Sequence, residues 1–181
     1  MMYTINDLED KRYNYSDFCF FWGVGTSPNV QRNENCLSQW WFCDFKEDGL
    51  TFCCAEQYMM YSKAILFEDY YYAQKILQST NPKTIKSYGR RVRDFDSTVW
   101  DKHKREIVLK GNILKFSQNA DLRKFLLSTD NKIIVEASPY DTIWGVGMKK
   151  TDPNIIVPSQ WRGINLLGFI LMEVRDILRL Q

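Results

Sequence analysis

Four stretches of the chain carry residue types able to do chemistry. In Ala55 to Ala64, Glu56 and Lys63 lie seven residues apart, two helical turns on one face, among Tyr58, Met59, Met60 and Tyr61. A carboxylate opening an apolar helix is favoured by the helix dipole alone, so Glu56 is either a helix-steadying acid or a working one. Lys63 on the same face suggests a lined pocket. Gly89-Arg90-Arg91-Val92-Arg93 reads either as a helix stop with solvated arginines or as a phosphate clamp, since guanidinium forks match phosphate oxygens. Trp100, beside Asp101 and Lys102, is on its own a core residue. The segment Glu136 to Gly147 is the most suggestive, because Pro139, Asp141, Trp144, Gly145 and Gly147 are hard to explain by packing alone. The two glycines admit close backbone approach to a ligand, and Trp144 offers a stacking face. Asp141 is either a turn former or a functional acid.

The composition narrows what these groups can do. His103 is the only histidine in 181 residues, so a Ser-His-Asp or Cys-His enzyme would rest wholly on it. Acid–base work near neutral pH then falls to Asp, Glu, Lys or Tyr. The five cysteines (Cys19, Cys36, Cys43, Cys53, Cys54) show no C-x-x-C spacing and read as reduced thiols. With no histidine cluster beside them, no metal ligand set and no cofactor are expected. A net charge of +2 is no footprint for strong non-specific nucleic-acid binding, although a local basic groove stays open. The 11 Phe, 10 Tyr and 6 Trp fill a core and also provide flat surfaces for nucleobases. With no signal peptide visible and the longest apolar run, near Leu166 to Met172, too short to span a bilayer, the expectation is an intracellular protein, cytoplasmic or nuclear, without membrane association.

The elements that must position these residues can be read from periodicity. Residues 1–17 are polar and expected to be loosely held, and residues 18–181 form one domain. Phe18 to Trp22, bounded by Gly23 and Gly25, reads as a short buried strand, and Asn29 to Asn35 as a loop. Lys46-Glu47-Asp48-Gly49 between two aromatic segments signals a hairpin. Helices are expected over Ala55 to Leu66 and Tyr70 to Gln78. A third starts at Asn81-Pro82 and stops at Gly89, and a fourth runs from Asp96 or Ser97 to Ser117. A short helix over Asp121 to Leu127, a strand over Lys132 to Glu136 and an amphipathic helix from Ile164 to Leu180 complete a helix-rich α+β domain with a small, mainly N-terminal sheet.

Taken in order, the segments resemble the NADAR (YbiA-like) family. Its aromatic strand pair is Phe21-Trp22, and its Leu-Ser-Asn turn is here Leu37-Ser38-Gln39, with Gln for Asn. The family's acidic helix start is matched by Glu56-Gln57-Tyr58-Met59-Met60 with Lys63-Ala64. Gly89-Arg90 follows, then Trp100 with Arg105 and Ile107, Lys115-Phe116, and Leu126-Leu127 with Thr129. Val135 to Gly147 matches the family's Glu-x-Ser-Pro-x-Asp-x-x-Trp-Gly-x-Gly stretch, and Trp161, Gly163, Asn165, Leu167-Gly168 and Leu171 to Arg175 match its close. The likeness runs from about residue 18 to the C-terminus, and the departures at Gln39 and Gln57 leave the acidic positions untouched.

The resemblance implies the YbiA-like fold and an N-glycosidase that cuts ribose from a base nitrogen. In characterised relatives the substrate is either a phosphoribosylamino-pyrimidine of riboflavin synthesis or ADP-ribose on guanine. It carries the family's essential acid, tryptophan and second acid onto Glu56, Trp100 and Asp141. On that footing Glu56 does the chemistry and Asp141 holds the ribose or water. Trp100 and Trp144 wall the base, and Arg90 with Lys115 takes phosphate. Lys63 is either an electrophile-positioning cation or an amine forming a Schiff base with the opened sugar. Gly89, Gly145 and Trp22 complete the expected ligand surface. The partners implied are an ADP-ribose or ribosyl-phosphate compound and ADP-ribosylated DNA. A module that binds ADP-ribose or NAD without cutting is the alternative from another class.

Overall fold

The computed structural model describes residues 2–8, 11–23 and 33–181. Gly25, and the part of the expected loop from Asn29 to Arg32, lie outside the described residues. The elements in order are β1 (Phe18–Phe21), β2 (Phe45–Glu47), β3 (Leu50–Phe52), α1 (Ala55–Leu66), α2 (Tyr70–Leu77), α3 (Pro82–Arg90), α4 (Ser97–Gln118), α5 (Ala120–Ser128), β4 (Ile133–Glu136) and α6 (Leu166–Arg179). The helix-rich α+β reading holds, and among the described residues no helix is long and apolar enough to cross a membrane.

Local chemistry explains most boundaries. Asp48 and Gly49 both take positive φ (47° and 78°), the left-handed pair that a two-residue hairpin turn requires. The Asn81 side chain accepts from Thr84 N at 3.1 Å ahead of Pro82, and Asp96 Oδ1 accepts from Thr98 N and Val99 N. Gln57 is a buried clip: its Oε1 accepts from Cys53 N at 2.7 Å, and its Nε2 donates to the carbonyls of Ile76 and Ser79 at the end of α2. One expected boundary is corrected. Gly89 does not stop α3, which continues through Arg90; the glycine lies inside the helix, where a Cβ would sit 2.0 Å from Met60 Sδ.

The small sheet content is divided. The β2–β3 hairpin is one antiparallel pair; β1 forms a separate parallel pair with β4, in register from Phe18↔Ile133 to Phe21↔Glu136. All five helices from α1 to α5 lie between β1 and β4 in sequence, so the pairing is a long-range one that closes around the helical body. Both strands are buried, which accounts for their aromatic and β-branched runs.

The free edge of β4 is closed by Asn165, held in the left-handed conformation (φ 52°) just before α6. Its Nδ2 donates to Ile134 O at 2.9 Å and its Oδ1 accepts from Glu136 N at 3.1 Å, so one amide side chain replaces a neighbouring strand. Gly168 lets α6 approach that edge, since a Cβ there would sit 2.1 Å from Ile134 O. The segment ahead of β1, expected to be loosely held, is instead tied down where it is described: Leu8 is buried, and the Tyr3 hydroxyl donates to Asp176 Oδ2 at 2.6 Å.

This packing predicts that Gly168→Ala lowers stability by about 1–3 kcal/mol, through overpacking against backbone that cannot yield. A thermal melt should fall by several degrees while the circular dichroism of the folded state stays helical, and an unchanged melting temperature would refute the close approach.

Candidate active site

The N-terminus of α1, the C-terminal end of β4 and the loop after it meet around a cavity of about 210 Å³. Glu56 enters from the first turn of α1, its backbone N–H tied to Gln39 O at 2.9 Å. Glu136 enters from the last residue of β4, where Asn165 holds its N–H and Val146 N binds its carbonyl at 3.0 Å. Asp141 enters from the loop. Its Oδ1 accepts from Ile143 N (2.9 Å) and Trp144 N (2.7 Å), while the residue also lines the cavity. The turn-forming reading of Asp141 holds, and the residue that makes the turn also lines the cavity.

Two of the three acids carry carboxyl groups that are largely buried and without a hydrogen-bond partner among the described residues. Glu56 is 7% exposed, and its carboxyl group makes no hydrogen bond or ion pair among the described residues. The Oε2 of Glu136 is buried with no hydrogen-bond partner, as is Nε2 of Gln39 on the same wall. Burial pushes Glu56 up to about 7, Lys86 opposing and Asp141 adding to the rise. Burial first, then the charges of Asp141 and Glu56, pushes Glu136 up to about 8, again opposed by Lys86. Near neutral pH the cavity thus holds a largely protonated carboxyl beside one close to half ionised, the condition for an acid and a base to coexist.

Cationic and aromatic groups surround the acids. Lys63 lines the cavity two turns above Glu56, donates to Gly89 O at 2.9 Å, and lies 4.0 Å from the Phe95 ring centroid and 5.8 Å from that of Trp100. Desolvation lowers its pKa. Trp100 does not line the cavity; its ring lies beside Lys63, which does. Trp144 is on the wall, half-buried, with Met59, Met60 and Leu167 as apolar lining. Arg90 lies on the rim one helical turn after Lys86, both exposed on α3. Trp22 is 49% exposed and pairs with Tyr140, 84% exposed, at a centroid distance of 6.2 Å.

Three expectations are corrected. Lys115 is not a phosphate ligand: it is fully buried, and its ammonium donates to Cys36 O (2.7 Å) and Ser38 O (2.8 Å), bracing the turn that carries Gln39. Arg93 belongs to Asp69, which it grips through Nε, Nη2 and its backbone N–H, pulling that carboxyl well below the usual range. Gly145 does permit a close approach, but to the protein itself, since a Cβ there would meet Glu136 O at 2.8 Å. Sequence reasoning missed Glu136 and Lys86. A carboxylate ending the buried run Ile133-Ile134-Val135 was the available signal for the first, and the i, i+4 spacing to Arg90 for the second. Among the described residues no three His, Cys, Asp or Glu are grouped to hold a metal ion.

A profile of the NADAR domain matches residues 20–179. The chain belongs to the NADAR family. It is 46% identical over 164 residues to an N-glycosidase of Acanthamoeba polyphaga mimivirus, covering 88% of this chain and 95% of that protein. It is 30% identical over 136 residues to the N-glycosidase YbiA of Escherichia coli (strain K12), covering 75% and 76%. The NMR structure of E. coli YbiA superposes with a TM-score of 0.70 at 26% identity, covering 95% of this chain and 91% of that one. The NADAR motifs acquire physical reasons from the geometry. The Glu-x-Ser-Pro-x-Asp stretch places two carboxyl groups on one cavity, and Gly163, whose Cβ would lie 2.3 Å from Gly145 O, and Asn165 lock that stretch from behind.

Raising Glu56 from 4.5 to about 7 costs stability once it ionises. The folded state binds this proton more tightly than the unfolded chain, so the stabilisation is complete below about pH 4.5 and is lost as pH rises through 7. Glu56→Gln should therefore raise the unfolding free energy at pH 8 by on the order of 3 kcal/mol, with a higher melting temperature, and leave it nearly unchanged at pH 4.5. Equal stability of the two proteins at pH 8 would show that Glu56 is not desolvated.

Proposed function

We propose that this protein hydrolyses the C–N bond between a ribose and a nitrogenous base, with release of ADP-ribose from guanine, in DNA or as a nucleotide, as its main reaction. N-glycosidase is the activity named for the mimiviral and E. coli relatives. The observation that carries the reading is a pair of buried, partnerless carboxyl groups, Glu56 and Glu136, on one cavity with Asp141. A protein that merely held ADP-ribose would gain nothing from an unpaired acid in a dry wall, whereas ribosyl transfer does.

Cleavage of the bond builds positive charge on the ribose ring, and the Glu56 carboxylate faces that charge. A charge pair about 4 Å apart at an effective dielectric near 20 gives roughly 4 kcal/mol, close to a thousandfold in rate. Asp141 holds the ribose hydroxyls or the water, and Trp144 walls the base. Lys63, backed by Phe95 and Trp100, adds a positioning cation. Arg90 and Lys86, one turn apart on the rim, take the phosphates in place of Lys115. A volume of about 210 Å³ receives the ribose and the scissile bond, so the rest of ADP-ribose must lie across the mouth, where Trp22 and Tyr140 offer open aromatic faces. That same small volume favours a second reading, in which the substrate is the compact phosphoribosylamino-pyrimidine of riboflavin synthesis.

Glu56→Gln should fold and lose at least about a hundredfold in turnover; near-normal turnover would remove Glu56 from the chemistry. Substrate is decided by kcat/KM on a guanine-ADP-ribosylated oligonucleotide against the phosphoribosylamino-uracil compound. Preference for the oligonucleotide is expected. Cleavage of the uracil compound with the modified DNA left intact would establish the second reading instead.

A further inference from the structure

Hydrolysis of a ribosyl–base bond needs more than a carboxylate near the sugar: the departing nitrogen must also receive a proton. Glu56 cannot both face the cationic ribose as an anion and donate that proton. Asp141 already has one oxygen committed to two backbone N–H groups. Lys63 has its ammonium directed to Gly89 O. Among the described residues, Glu136 is the remaining acid on the wall. Its Oε2 is buried without a partner, and its backbone is clamped on both sides by Asn165 and Val146, so the carboxyl is held at a defined place without being consumed.

Resting on the N-glycosidase reading above, we propose that Glu136 is a second catalytic residue, the general acid that protonates the leaving base nitrogen. In the step, the C1′–N bond breaks with its electron pair staying on nitrogen, and the Glu136 carboxyl proton passes to that nitrogen. Water oxygen bonds to C1′, and its proton passes to the Glu56 carboxylate. The products are the free base and a ribosyl hydroxyl, and transfer of one proton through solvent from Glu56 back to Glu136 restores the starting state. The groups facing Glu136 are consistent with this division. Glu56 and Lys63 come from α1, Lys86 and Arg90 from α3, and Asp141 from the following loop, while α6 contributes apolar Leu167 and the neighbouring turn neutral Ser38 and Gln39. Burial first, and then the nearby Asp141 and Glu56 carboxylates, keep the proton on Glu136 up to about pH 8, with Lys86 opposing them.

The test is the pH dependence of kcat/KM, measured on the guanine-ADP-ribosylated oligonucleotide and on the phosphoribosylamino-uracil compound. The wild type should rise through about pH 7 and fall through about pH 8 on whichever it cleaves. Glu136→Gln should lose at least about a hundredfold and also lose the alkaline fall, keeping the acid limb that Glu56 provides. A purely structural role would lower the rate and leave both limbs in place, so retention of the alkaline fall, or a rate within about fivefold of wild type, overturns the proposal. Should Glu136→Gln not fold, the wild-type profile still decides, because activity that stays flat to pH 10 contradicts an acid of this kind. Cleavage of neither compound by the wild type refutes the hydrolase reading first, and the role of Glu136 with it.

Discussion

Burial of the Glu56 and Glu136 carboxyl groups costs free energy that the rest of the structure has to supply, and much of the fold can be understood as the means of holding them dry. Each acid sits at the terminus of a regular element, the start of α1 and the end of β4, which fixes where its backbone meets the cavity. Asn165 closes the edge of β4, Gly168 brings α6 against it, and Lys115 and Asn112 brace the turn that carries Gln39 from the other side. Lys115 is a buried cation with two carbonyl acceptors, whereas Glu136 Oε2 is buried on the cavity wall without a partner.

The parallel pairing of β1 with β4 connects this constraint to topology. Because the helical body intervenes between the two strands, the site is assembled from both ends of the chain and exists only when the domain is closed. Glu136 is held from both sides of β4, by the pairing with β1 on one edge and by Asn165 on the other, so its position depends on tertiary packing rather than on one loop.

The helices were legible because their signals are local: Asn81-Pro82 and Asp96 announce starts, and Asp48-Gly49 announces the hairpin. The pairing of β1 with β4 was not legible, since nothing in Phe18 to Phe21 names a partner more than a hundred residues away. Gly89 looked like a helix stop because a glycine after a helical run usually is one. Its actual reason, contact with Met60, is a tertiary fact.

For the site, the family resemblance led to Glu56 and Asp141, and helical spacing to Lys63. Lys115 was misplaced because a lysine near a motif looks solvent-facing until its ammonium is seen between two carbonyls. Glu136 was passed over although it ends the buried run Ile133 to Val135, because the missing partner that sets its carboxyl apart is visible only in three dimensions. The most direct test of the whole account is a 13C NMR titration of the glutamate carboxyl groups, assigned with Glu56→Gln and Glu136→Gln. Two resonances titrating near pH 7 and near pH 8 are predicted. Titration of both close to the ordinary glutamate value of about 4.3 would contradict the buried acid–base pair on which the account rests.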